Sequence, residues 1–157
     1  MPARILLGLA LTLLAAQAIR PMSNRGAATG PNHLSAKAAV PAEVEQILRR
    51  SCYDCHSNAT IYPWYANVQP LGWLLEWHVR DGKKHLNFSE FATYAPKRAD
   101  HALEEIAEAV RERHMPLASY LWVHSAARLS DEDVKTLADW ASNTRRALGA
   151  AGSTPTK

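Results

Sequence analysis

Cysteine is scarce in this chain: there are two in 157 residues, Cys52 and Cys55. A structural zinc site wants four ligands, and the sequence holds neither a second C-x-x-C nor a pair of closely spaced histidines to complete one. Clustered charge of one sign is missing as well. The net charge is +3, and the basic residues stand among acids in short pairs such as Arg49-Arg50, Lys83-Lys84 and Arg145-Arg146. No basic stripe exists to follow a nucleic-acid backbone. Period-two alternation is absent, which argues against strands, and no internal repeat is present. No apolar run reaches the roughly 20 residues that span a bilayer comfortably.

What remains is an ordinary globular composition, 47% hydrophobic and 21% charged, in a length that suits one domain with additions at its ends. Near the start, Arg4 precedes a largely apolar, uncharged run from Ile5 to Ile19 that closes with Ala16-Gln17-Ala18. A positive residue, an apolar stretch and an A-x-A-like site make a secretory signal, expected over residues 1–19. The same run, bracketed by Arg4 and Arg20, can instead stay attached as an N-terminal membrane anchor. Both readings export the remainder, to the periplasm. Residues 20–40, rich in Gly, Pro, Ala, Ser and Asn, read as a linker or loosely packed arm. Residues 41–148 are expected to form the domain, and 149–157 a flexible tail.

Helical periodicity begins at Pro41, with Val44, Ile47 and Leu48 on one face leading directly into Cys52. A second stretch follows Pro70 and sets Leu71, Leu74, Leu75 and His78 on one face, Trp73 and Trp77 on the other, ending near Asp81-Gly82. A third is expected after Asp100 as N-cap, burying Leu103, Ile106, Ala107 and Val110 and stopping before Pro116. The last opens on "SDED" at 130–133 and buries Val134, Leu137, Ala138 and Ala141. The fold class is therefore all-α, with about four main helices and long loops at 57–69 and 82–99 that need something to wrap around.

The cysteines are three residues apart and a histidine follows directly: "CYDCH", residues 52–56. A thioredoxin-like pair belongs at a strand-to-helix junction, and a disulfide across two residues closes too small a loop to stabilise much. Haem attachment accounts for the whole pattern. Two thiols on one helical turn can each add across a vinyl group of one porphyrin, and His56 then serves as the proximal axial ligand. Covalent attachment of this kind happens outside the cytoplasm, in agreement with the export signal. One covalent haem c would also give Tyr62, Trp64, Tyr65, Phe88 and Phe91 a flat apolar body to pack against.

For the sixth coordination position, Met115 in "HMPLASY" can supply a thioether after the third helix. Three competing histidines are His78 on an apolar helical face, His114 beside Met115, and His124 beyond Trp122. His33, His85 and His101 read as surface or linker residues.

The order of a short helix into "CYDCH", an amphipathic helix, "MP" and "RLSDEDVKTLADWA" resembles monohaem class I cytochromes c over residues 44–147. More closely, "CYDCHSN", "PWY", "HVRDGKKHLNFSEF" and the downstream "MP" resemble the bacterial haem-binding-domain family of small exported c-type cytochromes. Phe91 stands where that family's pattern has tryptophan. The likeness implies a cytochrome c-like fold around one haem, with Cys52 and Cys55 as thioether anchors and His56 and Met115 as the iron ligands. Trp64, Tyr65 and His78 are expected in the pocket, His78 also as alternative distal ligand. The expected function is one-electron transfer by a carrier rather than catalysis by an enzyme, with unidentified redox proteins as partners. The alternative is a peroxidase-like haem enzyme or gas sensor with a labile distal ligand. Trp73, Trp77 and Trp122 are candidates for a docking patch.

Overall fold

Seven α-helices follow one another among residues 2–152, the part of the chain that this computed structural model describes: α1 (Pro2–Ala16), α2 (Ala42–Ser51), α3 (Tyr53–His56), α4 (Leu71–His85), α5 (Pro96–Arg111), α6 (Ala118–Leu121) and α7 (Asp131–Gly152). Short 3-10 turns lie at Leu34–Ala36, Trp64–Asn67, Phe88–Thr93 and Ser125–Ala127. No strand occurs among the described residues, so the all-α expectation holds. No described helix is long and apolar enough to cross a membrane.

The core is the packing of α5 on α7. α5 buries Ala99, Ala102, Leu103, Ile106, Ala107 and Val110, a stripe at three- and four-residue spacing whose alanines let the helices approach closely. α7 meets it with Leu137, Ala138, Trp140 and Ala141, and α2 adds Val44, Ile47 and Leu48. Phe88, Phe91 and Tyr94 fill the remaining side, the rings of Phe91 and Tyr94 tilted at 5.2 Å. α7 starts as its sequence indicates: Asp133 N–H donates to Ser130 Oγ (3.0 Å) and Ser130 N–H donates to Asp133 Oδ2 (2.8 Å), a reciprocal cap.

Three expectations change. α5 begins at Pro96, not after Asp100, because Pro96 is preset for a first helical position. Asp100 lies inside the helix and takes two guanidinium bonds from Arg145 on α7, at 2.7 and 3.0 Å. α4 runs three residues past Gly82 to His85; its buried residues are Gly72 and Val79, and of its apolar face Leu71 and Leu74 are exposed while Leu75 and His78 are half-buried on the lining of a cavity.

The third change concerns residues 20–40, which from Asn24 onward are packed rather than free. Asn24 holds the arm: its amide donates to Ser57 O (2.8 Å) and Thr60 Oγ1 (3.0 Å), while its oxygen accepts from Lys83 Nζ (2.7 Å). Gly26 N–H donates to Asn58 O at 2.7 Å. His33 and Leu34 are buried, and the indole of Trp140 donates to Ala39 O at 3.0 Å. Composition suggested a linker because the arm has no helical period; it is fixed by polar contacts that carry no period.

Candidate functional site

α2 ends at Ser51, and the chain then makes one further tight turn in α3. Cys55 and His56 both donate their N–H groups to Cys52 O, at 3.2 and 3.0 Å. Cys52, Cys55 and His56 therefore belong to a single hydrogen-bonded turn. The two cysteines are free thiols. Burial pushes Cys52 up to about 12 and Cys55 up to about 11, the second helped by Asp54. Burial thus favours the S–H form of both over the thiolate. Among the described residues no three His, Cys, Asp or Glu side chains gather into a metal-holding group.

His56 is oriented by the backbone just past α4. Its Nδ1 lies 3.1 Å from Leu86 O. A carbonyl only accepts, so Nδ1 carries the proton and the Nε2 lone pair is left for a ligand bond. Burial lowers the pKa of the ring, against the opposing pull of the Leu86 and Gly82 carbonyls, which keeps the imidazole neutral. Gly82 explains how α4 comes so near. A Cβ there would stand 3.1 Å from Cys55 O and 3.3 Å from His56 Cε1, so the glycine read as a helix stop is a point of close approach.

This turn faces two adjoining cavities. One, of 310 Å³, has apolar walls from Leu86, Phe88, Ile106 and Val110 and includes Cys52, His56 and Met115. The other, of 370 Å³, is lined by Cys52, Cys55, His56, His78, Met115 and Tyr120 among others. Shared walls at Cys52, His56, His85, Met115 and Pro116 make them one slot. A larger hollow of 760 Å³ lies between α5 and α7, but its rim of Asp100, Glu104, Arg111 and Arg145 is a solvated charged surface away from the thiols.

Met115 reaches the slot because of Arg113. That residue takes φ 59°, the left-handed conformation common just after a helix end, and its guanidinium donates to Leu129 O (2.8 Å) and to Asp131. The chain so turned places Met115 and Pro116 on the slot wall.

The structure thus brings together Cys52, Cys55, His56, Met115 and His78. Trp64 and Tyr65 line an adjoining groove with Leu74 and Trp122, which shares Leu75, His78, Ser119 and Tyr120 with the slot. Phe91 is in the core and Tyr62 accepts the N–H of Asn24, so neither walls the slot; Phe88 does. His114 is at the surface beside Glu112 (3.2 Å). His124 is stacked on Tyr120 at 4.0 Å and holds that residue's carbonyl through Nδ1 at 3.1 Å, away from the slot. His85 is exposed, as read, and borders both cavities, whereas His33 is buried against Tyr53. The roles of the Leu86 carbonyl and of Gly82 beside His56 lie beyond the sequence reading, because a backbone acceptor and a close approach carry no side-chain signal.

Two S–H groups and one neutral imidazole nitrogen, set on the wall of an apolar slot with a thioether among the other lining atoms, fit a planar tetrapyrrole with an iron centre. No curated protein and no solved structure matches the chain. The family model described as a haem-binding domain matches residues 11–143, most of the chain, arm and end of α1 included. The chain belongs to the haem-binding domain family.

Proposed function

We propose that this protein is a monohaem c-type cytochrome that carries single electrons in the periplasm. The observation that carries the reading is the convergence of Cys52, Cys55 and His56 from one turn, and of Met115 from the end of α5, on one apolar slot. When bound, haem supplies the Fe(III)/Fe(II) couple. The protein does the rest. Cys52 and Cys55, both half-buried free thiols, would hold the group, each by addition of its S and H across one vinyl double bond so that no atom is lost. The Leu86 carbonyl holds the His56 tautomer, and Leu86, Phe88, Ile106 and Val110 exclude water. Met115, on the lining of both cavities, would hold the iron through its thioether and would favour the reduced state.

No substrate-transforming residue is assigned; the chain acts as a carrier. His78, half-buried on the lining of the same cavity as Met115, is the observation that favours the alternative, a haem enzyme or sensor with a labile distal ligand. Absorption spectra of the purified protein decide between them. The carrier gives low-spin spectra in both oxidation states and resists carbon monoxide; a high-spin ferrous form that binds carbon monoxide readily would overturn it.

A further inference from the structure

The end of α1 is bound into the domain. The Gln17 side chain donates to Gln69 O (3.2 Å) and accepts the Gln69 N–H (2.9 Å). Two residues on, Ile19 O accepts the Trp73 indole N–H (3.0 Å), and the Arg20 guanidinium donates to Asn67 O (2.6 Å). Gln69 is only 3% exposed, and removing residues 1–18 would take the partners of its backbone N–H and C=O away. The segment that reads as a cleavage site does structural work, and the family match begins at residue 11, inside α1. α1 itself has no buried side chain and no charge from Ile5 to its end. A helix apolar all round finds burial in a protein core or in lipid, and this domain offers it no core.

Its root stands beside an uncharged face. Residues 59–75 and 115–127 contain no Asp, Glu, Lys or Arg, and together they wall the groove of Trp64, Leu71, Leu74, Trp122 and Val123. Trp64 is 79% exposed and Trp122 83%. Tryptophan belongs at the headgroup level of a membrane. α1 is 15 residues long, shorter than the roughly 20 that match a bilayer, and a short insert draws its flanks toward the lipid. Arg20, at the boundary, suits anionic headgroups.

We propose that α1 is retained as a lipid-embedded anchor and that the Trp64–Trp122 groove rests on the bilayer surface, which sets the mouth of the slot beside the membrane. This rests on the export reading above, but its test does not read haem. The full chain, expressed with its leader in a Gram-negative host, is expected in the membrane fraction after an alkaline carbonate wash, with an intact mass that includes residues 5–19. Purified and reconstituted alone in phosphatidylethanolamine–phosphatidylglycerol vesicles with a diazirine phospholipid, it is expected to photocrosslink within 61–77 and 118–124 but not within α5. A soluble periplasmic product lacking residues 1–18 would overturn the anchor. Adducts confined to α1, or scattered over the domain, would overturn the docked face, as would contacts that appear only in native membranes, where another protein must then be the occupant.

Discussion

Gly82 packs so closely on His56 that a single added Cβ would sit 3.3 Å from the ring's Cε1. Helix propensity favours Gly82→Ala by roughly 1 kcal/mol, whereas overpacking opposes it by about 1–3 kcal/mol. The account predicts that packing wins: the variant melts at lower temperature and shows altered ligand-field bands. Unchanged spectra with raised stability would mean that α4 does not set the ring.

The Met115 thioether and the His78 imidazole border the same cavity. Met115→Ala is expected to abolish the weak sulfur-to-iron charge-transfer band and to lower the midpoint potential, and His78→Ala to leave both in place. The reverse pattern in these two spectra would move the axial role to α4.

Asn24→Ala tests whether the arm is structural. Its side chain bonds Ser57 O, Thr60 Oγ1 and Lys83 Nζ. Losing these bonds should cost about 1–3 kcal/mol in denaturant unfolding. A variant as stable as the parent would return residues 20–40 to the status of a linker.

Asp133 governs part of the acid response. Burial opposes its charge, but the Ser130 N–H and hydroxyl and the Arg50 guanidinium outweigh it and hold the carboxyl below the usual range. A group depressed in the folded state contributes stability above its unfolded pKa and loses it as pH falls through the folded value. Stability should therefore drop on acidification into that low range, by roughly 1 kcal/mol for the cap, and Asp133→Asn should flatten that part of the profile. A variant with the parent's acid profile would contradict the assignment.

Periodic features were legible in the sequence and aperiodic ones were not. Leu103, Ile106, Ala107 and Val110 announce α5 by spacing, and Ser130 with Asp133 announces the start of α7. The Cys52-Cys55-His56 turn was legible because three reactive side chains within five residues leave few chemistries. The leucines of α4 were legible as one apolar face but their surroundings were not, since an apolar face says that burial is favourable but not against what. The Leu86 carbonyl could not be read at all, because a backbone acceptor has no residue type. Trp64 and Tyr65 lie near the turn in sequence, and in space they line the groove that adjoins the slot through His78 and Tyr120.

The most direct test of the central claim is the intact mass of the purified protein under denaturing conditions. Addition of two thiols across two vinyl groups conserves every atom, so the account predicts the polypeptide plus one whole haem, with haem peroxidase activity retained on a denaturing gel. Changing Cys52 and Cys55 together to alanine should remove both signals. A bare polypeptide mass, with all haem extracted by acidified solvent while both cysteines remain intact, would contradict it.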